Sequence, residues 1–111
     1  MKVQTQQRGA VTVIRPDGPL VAADVDEFRE KLEEEIRRNL GRVVLDVSAV
    51  PFVDSQALEC LVDITTELGH SGKALKLCAP VDTLKEVLEL TGVSSEFEQF
   101  EDVIAAVRSF L

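Results

Sequence analysis

The sequence predicts an α/β domain with a mixed, mainly parallel central sheet and about four helices. Three observations predict it. From Ile14 onward, apolar runs of strand length alternate with segments of helical spacing, the pattern of successive βαβ units. The run Arg42–Val47 (RVVLDV) is apolar except for Asp46, which suits a strand covered on both faces. The chain has 111 residues, which is one domain over 1–111 and too short for two.

The elements follow in order. Ala10–Ile14 (AVTVI) reads as a strand, and residues 2–7, with Val3, Thr5 and Gln7 in weak alternation, as its antiparallel edge partner. Pro16, Asp17, Gly18 and Pro19 mark a turn. A first helix is expected over 24–39, with Asp24 as N-cap and Glu27 completing a capping box. Val25, Phe28, Leu32 and Ile36 form its apolar stripe, and Arg37 and Arg38 lie at its negative dipole end before Leu40-Gly41. A second helix spans 55–69, with Leu58, Leu61, Val62, Thr65 and Leu68 inward. Lys73–Cys78 (KALKLC) is the next strand. A third helix covers 82–91, with Leu84, Val87 and Leu88 inward and Gly92 as its stop. Residues 94–99 form a connection with room for a short strand, and a last helix over 100–109 carries Phe100, Val103, Ile104, Val107 and Phe110.

Composition narrows the function. Apolar residues make up 45% of the chain and charged residues 29%, a globular mix, with five Phe and neither Trp nor Tyr. A net charge of -8 repels phosphate backbones and anionic lipid, so neither direct nucleic-acid binding nor membrane insertion is expected. MKVQTQQRG at the N-terminus has no apolar core of a signal peptide, and a cytoplasmic protein is expected. Cys60 and Cys78 lack a CxxC partner or a neighbouring His, so they read as free buried thiols and no metal site is expected. The glycines match no phosphate-binding loop, and no cofactor is expected.

The stretch FVDSQALE (52–59) sets Asp54 and Ser55 at a helix start. Such a pair can cap the helix, supply a nucleophile or accept a modification. A nucleophilic Ser55 needs a base, and the single histidine, His70, lies about 22 Å along the helix at ~1.5 Å per residue. Asp54 is too weak a base at an ordinary carboxylate pKa, so no catalytic residue is assigned. Either side chain suits an N-cap. A phosphate on Ser55 would also sit beside free N–H groups and the positive dipole end, adding charge without melting the helix.

VTVIRPDGPL (11–20), the helix after it, VVLDVSAVPFVDSQAL (43–58), KALKLCAP (73–80) and DTLKEVLELTGV (82–93) together resemble the STAS (sulfate transporter and anti-sigma factor antagonist) domain, in its stand-alone bacterial anti-sigma factor antagonist form. The most specific part is 43–58, similar to a family motif F-[ILMV]-D-S-x-G-L at a helix start. The resemblance implies a single STAS-like domain and makes Ser55 the phosphoacceptor. It implies a partner interface of Asp54, Gln56, Ala57, Leu58, Gly18 and Leu20. It further implies an anti-sigma factor serine kinase, bound while Ser55 is unphosphorylated so that a sigma factor is released, and a phosphatase that resets the switch. The domain itself would be no enzyme, and a monomer or weak dimer. The chain departs from the pattern at Ala57, where the motif has Gly, at Glu59, and at Val21, where the family's early turn carries Asp. Those departures leave a second reading, a non-switching STAS subunit of a signalling scaffold or transporter assembly.

Overall fold

The computed structural model describes residues 1–111. Its elements are β1 (Lys2–Arg8), β2 (Val11–Asp17), α1 (Ala22–Arg38), β3 (Val43–Asp46), α2 (Ser55–Gly69), β4 (Lys76–Cys78), α3 (Asp82–Leu90), β5 (Glu98–Phe100) and α4 (Val103–Arg108). The five strands are ordered β1-β2-β3-β4-β5, with β1 antiparallel to β2 and the other pairs parallel. Each crossover from β2 to β5 moves one strand in the same direction. Right-handed crossovers therefore place α1, α2 and α3 on one face of the sheet. The other face is left to α4.

Strand pleating divides the apolar residues between these faces. Ile14, Leu45 and Leu77 stand in register and join the larger core with Phe28, Leu32, Leu61, Ile64, Leu84 and Leu88. Val11, Val13, Val44 and Cys78 point the other way and pack with Ala106 of α4. Lys76 ties down that second layer. Its ammonium lies 4.2 Å from the Phe110 ring centroid and 5.5 Å from that of Phe100, donates to Ser109 Oγ at 2.7 Å, and pairs with Glu98 at 2.9 Å.

Several boundaries differ from the sequence reading, among them the start of β4, at Lys76 and not Lys73. Helix α1 begins at Ala22, so Asp24 is a first-turn residue and not the N-cap; Val21 holds the cap position without a capping side chain. Strand β2 continues through Pro16 to Asp17, because its parallel pairing with β3 ends at Ile14 and only the β1 ladder runs on. Helix α4 begins at Val103, because Asp102 caps it by accepting the Ala105 N–H at 2.8 Å. Phe100 belongs instead to β5, and Ile104, one of the apolar residues that marked the helix, is 54% exposed. Helical spacing from Phe100 onward had merged the strand with the helix after it.

Cys60 and Cys78 are free and buried, as the sequence suggests. Burial pushes both thiols up, Cys78 to about 12 with Asp46 adding to the effect.

Thr65 joins α2 to the far edge of the sheet. Its buried hydroxyl donates to the Glu96 carbonyl at 2.7 Å and accepts the Leu75 N–H at 2.9 Å. Thr65→Val keeps the shape but strands both backbone groups, and it is expected to destabilise the fold by about 2 kcal/mol. Thr65→Ser should recover most of that loss. Urea unfolding of the three proteins measures the difference.

Candidate functional site

The loop that follows β2 and the loop that follows β3 leave the sheet at the same end and are stitched together. Gly18 N–H donates to the Ala49 carbonyl at 3.0 Å, Leu20 N–H to Phe52 at 3.2 Å, and Asp54 N–H to Leu20 at 3.0 Å. Leu20 and Val53 form a parallel bridge. Gly18 holds φ at +121°, with nothing within 4 Å of the position a Cβ would take. Its role is therefore conformational, since only glycine enters that region freely.

This stitching brings the N-termini of α1 and α2 to one carboxylate. Asp54 Oδ1 accepts the Ala57 N–H at 2.9 Å, which caps α2. Asp54 Oδ2 accepts the Ala22 N–H at 2.7 Å, which supplies the cap that Val21 cannot give α1. These bonds, first Ala57 and then Ala22, hold the Asp54 carboxyl below the usual carboxylate range. Ser55 is the first residue of α2 and is exposed. Because Asp54 makes the cap, the Ser55 hydroxyl is left outside it.

Among the other residues singled out in the sequence, Gln56 is exposed, and Gly18 and Leu58 are half-buried. Leu58 packs against the main core. Two assignments are corrected. Leu20 is 2% exposed and Ala57 3% exposed, and both belong to the core, so neither offers a surface to a partner. The Ala57 methyl fills space beneath the first turn of α2 and does not project from it. Phe52, three residues before Ser55, is 49% exposed. The sequence signal was an aromatic in a Pro-containing turn, which reads equally well as core. His70 lies just past the far end of α2, well away from Ser55.

Residues 2–106 match the family described as the STAS domain. The chain belongs to that family. This STAS domain is 25% identical over 108 residues to BtrV of Bordetella bronchiseptica, named as an anti-sigma factor antagonist, covering 90% of this chain and 93% of that one. Its fold is similar to that of the anti-sigma factor antagonist TM1081 of Thermotoga maritima, with a TM-score of 0.86 at 20% identity over 96% of this chain and 92% of that one. It is also similar to the anti-sigma factor antagonist SpoIIAA in its unphosphorylated form, with a TM-score of 0.75 at 20% identity over 98% and 96% of the two chains. SpoIIAA of Bacillus in its phosphorylated form gives a TM-score of 0.71 at 19% identity over 99% and 100%.

Two predictions follow from the geometry of Asp54 and Ala57. A depressed Asp54 pKa adds stability that is fully present above the unfolded carboxylate value of about 3.9 and is lost as pH falls through the folded value. Asp54→Asn should therefore lie below the parent protein in stability at pH 7, with the gap closing below about pH 4. Urea midpoints from pH 2 to 7 read this directly. Asp54→Ala should be weaker than Asp54→Asn, because an amide oxygen can still cap. For Ala57→Gly, the expected change is a loss of about 1–2 kcal/mol, combining helix propensity with one buried methyl. Partner affinity, measured with both forms fully folded, should stay the same.

Proposed function

We propose that this STAS domain is an anti-sigma factor antagonist switched by phosphorylation of Ser55. With Ser55 unmodified, it binds an anti-sigma factor that is also a serine kinase, and a sigma factor is released. The kinase transfers the γ-phosphoryl group of ATP to Ser55 Oγ. ADP leaves, and the hydroxyl proton passes to a base of the kinase. The modified domain no longer binds, and a separate phosphatase restores it by hydrolysis.

One observation carries the reading. Ser55 is exposed at the first position of α2, while the cap is made by its neighbour Asp54. A hydroxyl free of the cap can enter a kinase site without unravelling the helix. A phosphate there meets the positive end of the helix dipole, which favours it. It also adds roughly -1.5 to -2 charge beside the Asp54 carboxylate and changes the surface a partner meets. The domain contributes an acceptor and a surface, and it needs no catalytic group of its own. The similarity to BtrV over nearly the whole of both chains supports the same reading.

The test is the binding of the cognate anti-sigma factor to three forms of the domain. Ser55→Ala should bind like the unmodified protein. Ser55→Asp, with a carboxylate at a helix N-terminus, should melt no lower than the parent yet bind about 10-fold or more weakly, since an added like charge in an interface costs several kcal/mol. Equal affinity of Ser55→Ala and Ser55→Asp would replace the switch with the non-switching subunit.

A further inference from the structure

The far end of the molecule carries a second surface, made of two complementary parts. Helices α1, α2 and α3 each run back against the parallel strands, so their C-termini gather where β3, β4 and β5 begin. Ser55 lies at the opposite end. Between the last turns of α1 and α2 opens a cleft of about 460 Å³ whose apolar wall is Ile36, Leu40, Ile64 and Leu68. Arg37 and Lys73 line it, and Arg42 borders the adjoining hollow. Lys73 Nζ donates to the Leu40 carbonyl at 3.3 Å and Arg42 Nε to that of Ala10 at 3.1 Å, but none of the three cations has a carboxylate within 4 Å, in a chain of net charge -8. The acids on the cleft wall, Glu33 and Glu67, already face Arg29, at 3.4 and 3.9 Å. Leu40 on the rim is 69% exposed and holds φ at +55°, a conformation that a leucine rarely adopts.

The other part is the end of α3. Leu90 is 80% exposed there, with exposed Glu86 and Glu89 on the same last turn. Neither carboxylate is paired within the chain. One end of the domain thus presents an apolar cleft with unpaired cations and an apolar knob with unpaired acids.

We propose that this end is a homodimer interface in which Leu90 of each copy enters the cleft of the other and Glu86 and Glu89 meet Arg37 and Lys73. Knob and cleft belong to the same end of the domain, so a two-fold axis through that end can satisfy both contacts at once, the requirement of an isologous interface. Opposite charges steer the copies together and set their register. The two Ser55 sites remain at the outer ends of the pair, free for their own partners. The interface stands whether or not Ser55 is phosphorylated.

Sedimentation equilibrium of the full chain tests this. At about 0.01 M ionic strength, where charges act over ~30 Å, the mass should rise with concentration from 12.2 kDa to twice that value. At 1 M, where the range is about 3 Å, it should fall back toward the monomer. Arg37→Glu with Lys73→Glu makes the cleft acidic, and Glu86→Lys with Glu89→Lys makes the knob basic. All four positions are exposed, so both variants should melt close to the parent. Each variant alone should be monomeric, because like charges then face each other in both contacts. Mixed one to one, the two variants should pair again as a dimer, because both contacts are then complementary. A monomer under all conditions, association that salt does not weaken, variants that dimerise alone, a mixture that stays monomeric, or a mass growing beyond two copies would each overturn the proposal.

Discussion

The Asp54 carboxylate is the constraint on which the site end of this molecule depends. Two parallel helices begin side by side, and the sequence gives only α2 a capping side chain of its own. Each helix start presents N–H groups without an intrahelical partner. One carboxylate with two oxygens satisfies one such group on each helix, 2.7 and 2.9 Å away. Those bonds, Ala57 first and then Ala22, hold the carboxyl below its usual range, and the charge also faces the positive ends of both dipoles. The loops that bring α1 and α2 to this point are fixed by backbone bonds between residues 18–22 and 49–54, so the link is part of the sheet's own extension.

The proposed switch depends on this arrangement. Had Ser55 been the cap, its hydroxyl would have been engaged with the helix, and modification would have removed a stabilising contact. With Asp54 in that place, the acceptor hydroxyl and the structural cap are separate groups on adjacent residues. The fold can then stay constant while the surface charge changes. The same geometry places Phe52 in solvent three residues away, on a turn made rigid by its bond to Leu20. The departure from the family pattern at Ala57 becomes intelligible as well. The methyl is turned into the core, where it adds to packing without touching the surface beside Ser55.

Charge at the ends of α1 runs in the same sense as its dipole. Asp24 lies in the first turn of α1 and Arg37 and Arg38 in its last, while Asp54 caps α2 and Lys73 follows its end. This arrangement favours both helices. Ser55 lies at one end, and the other end carries both the cations of the cleft and the acids of α3, which the net charge of the chain conceals.

The sequence by itself determined the order of strands and helices, the parallel sheet with one antiparallel edge, and the start of α2 at Ser55. These follow from local signals: apolar period, β-branched runs, and Asp or Gly at helix ends. It also placed the acceptor candidate and excluded a base for it, because the single histidine is tied by helix geometry to the wrong end. Only the tertiary structure decided that Asp54 caps two helices, for that bond joins residues 32 apart and leaves no pattern in either segment. It decided in the same way that Leu20 and Ala57 are core, that Phe100 is a strand residue, and that Leu90 shares an end with Leu40. Periodicity shows which residues of one segment share a face. Which face is covered, and by what, depends on the packing of segments far apart in the chain.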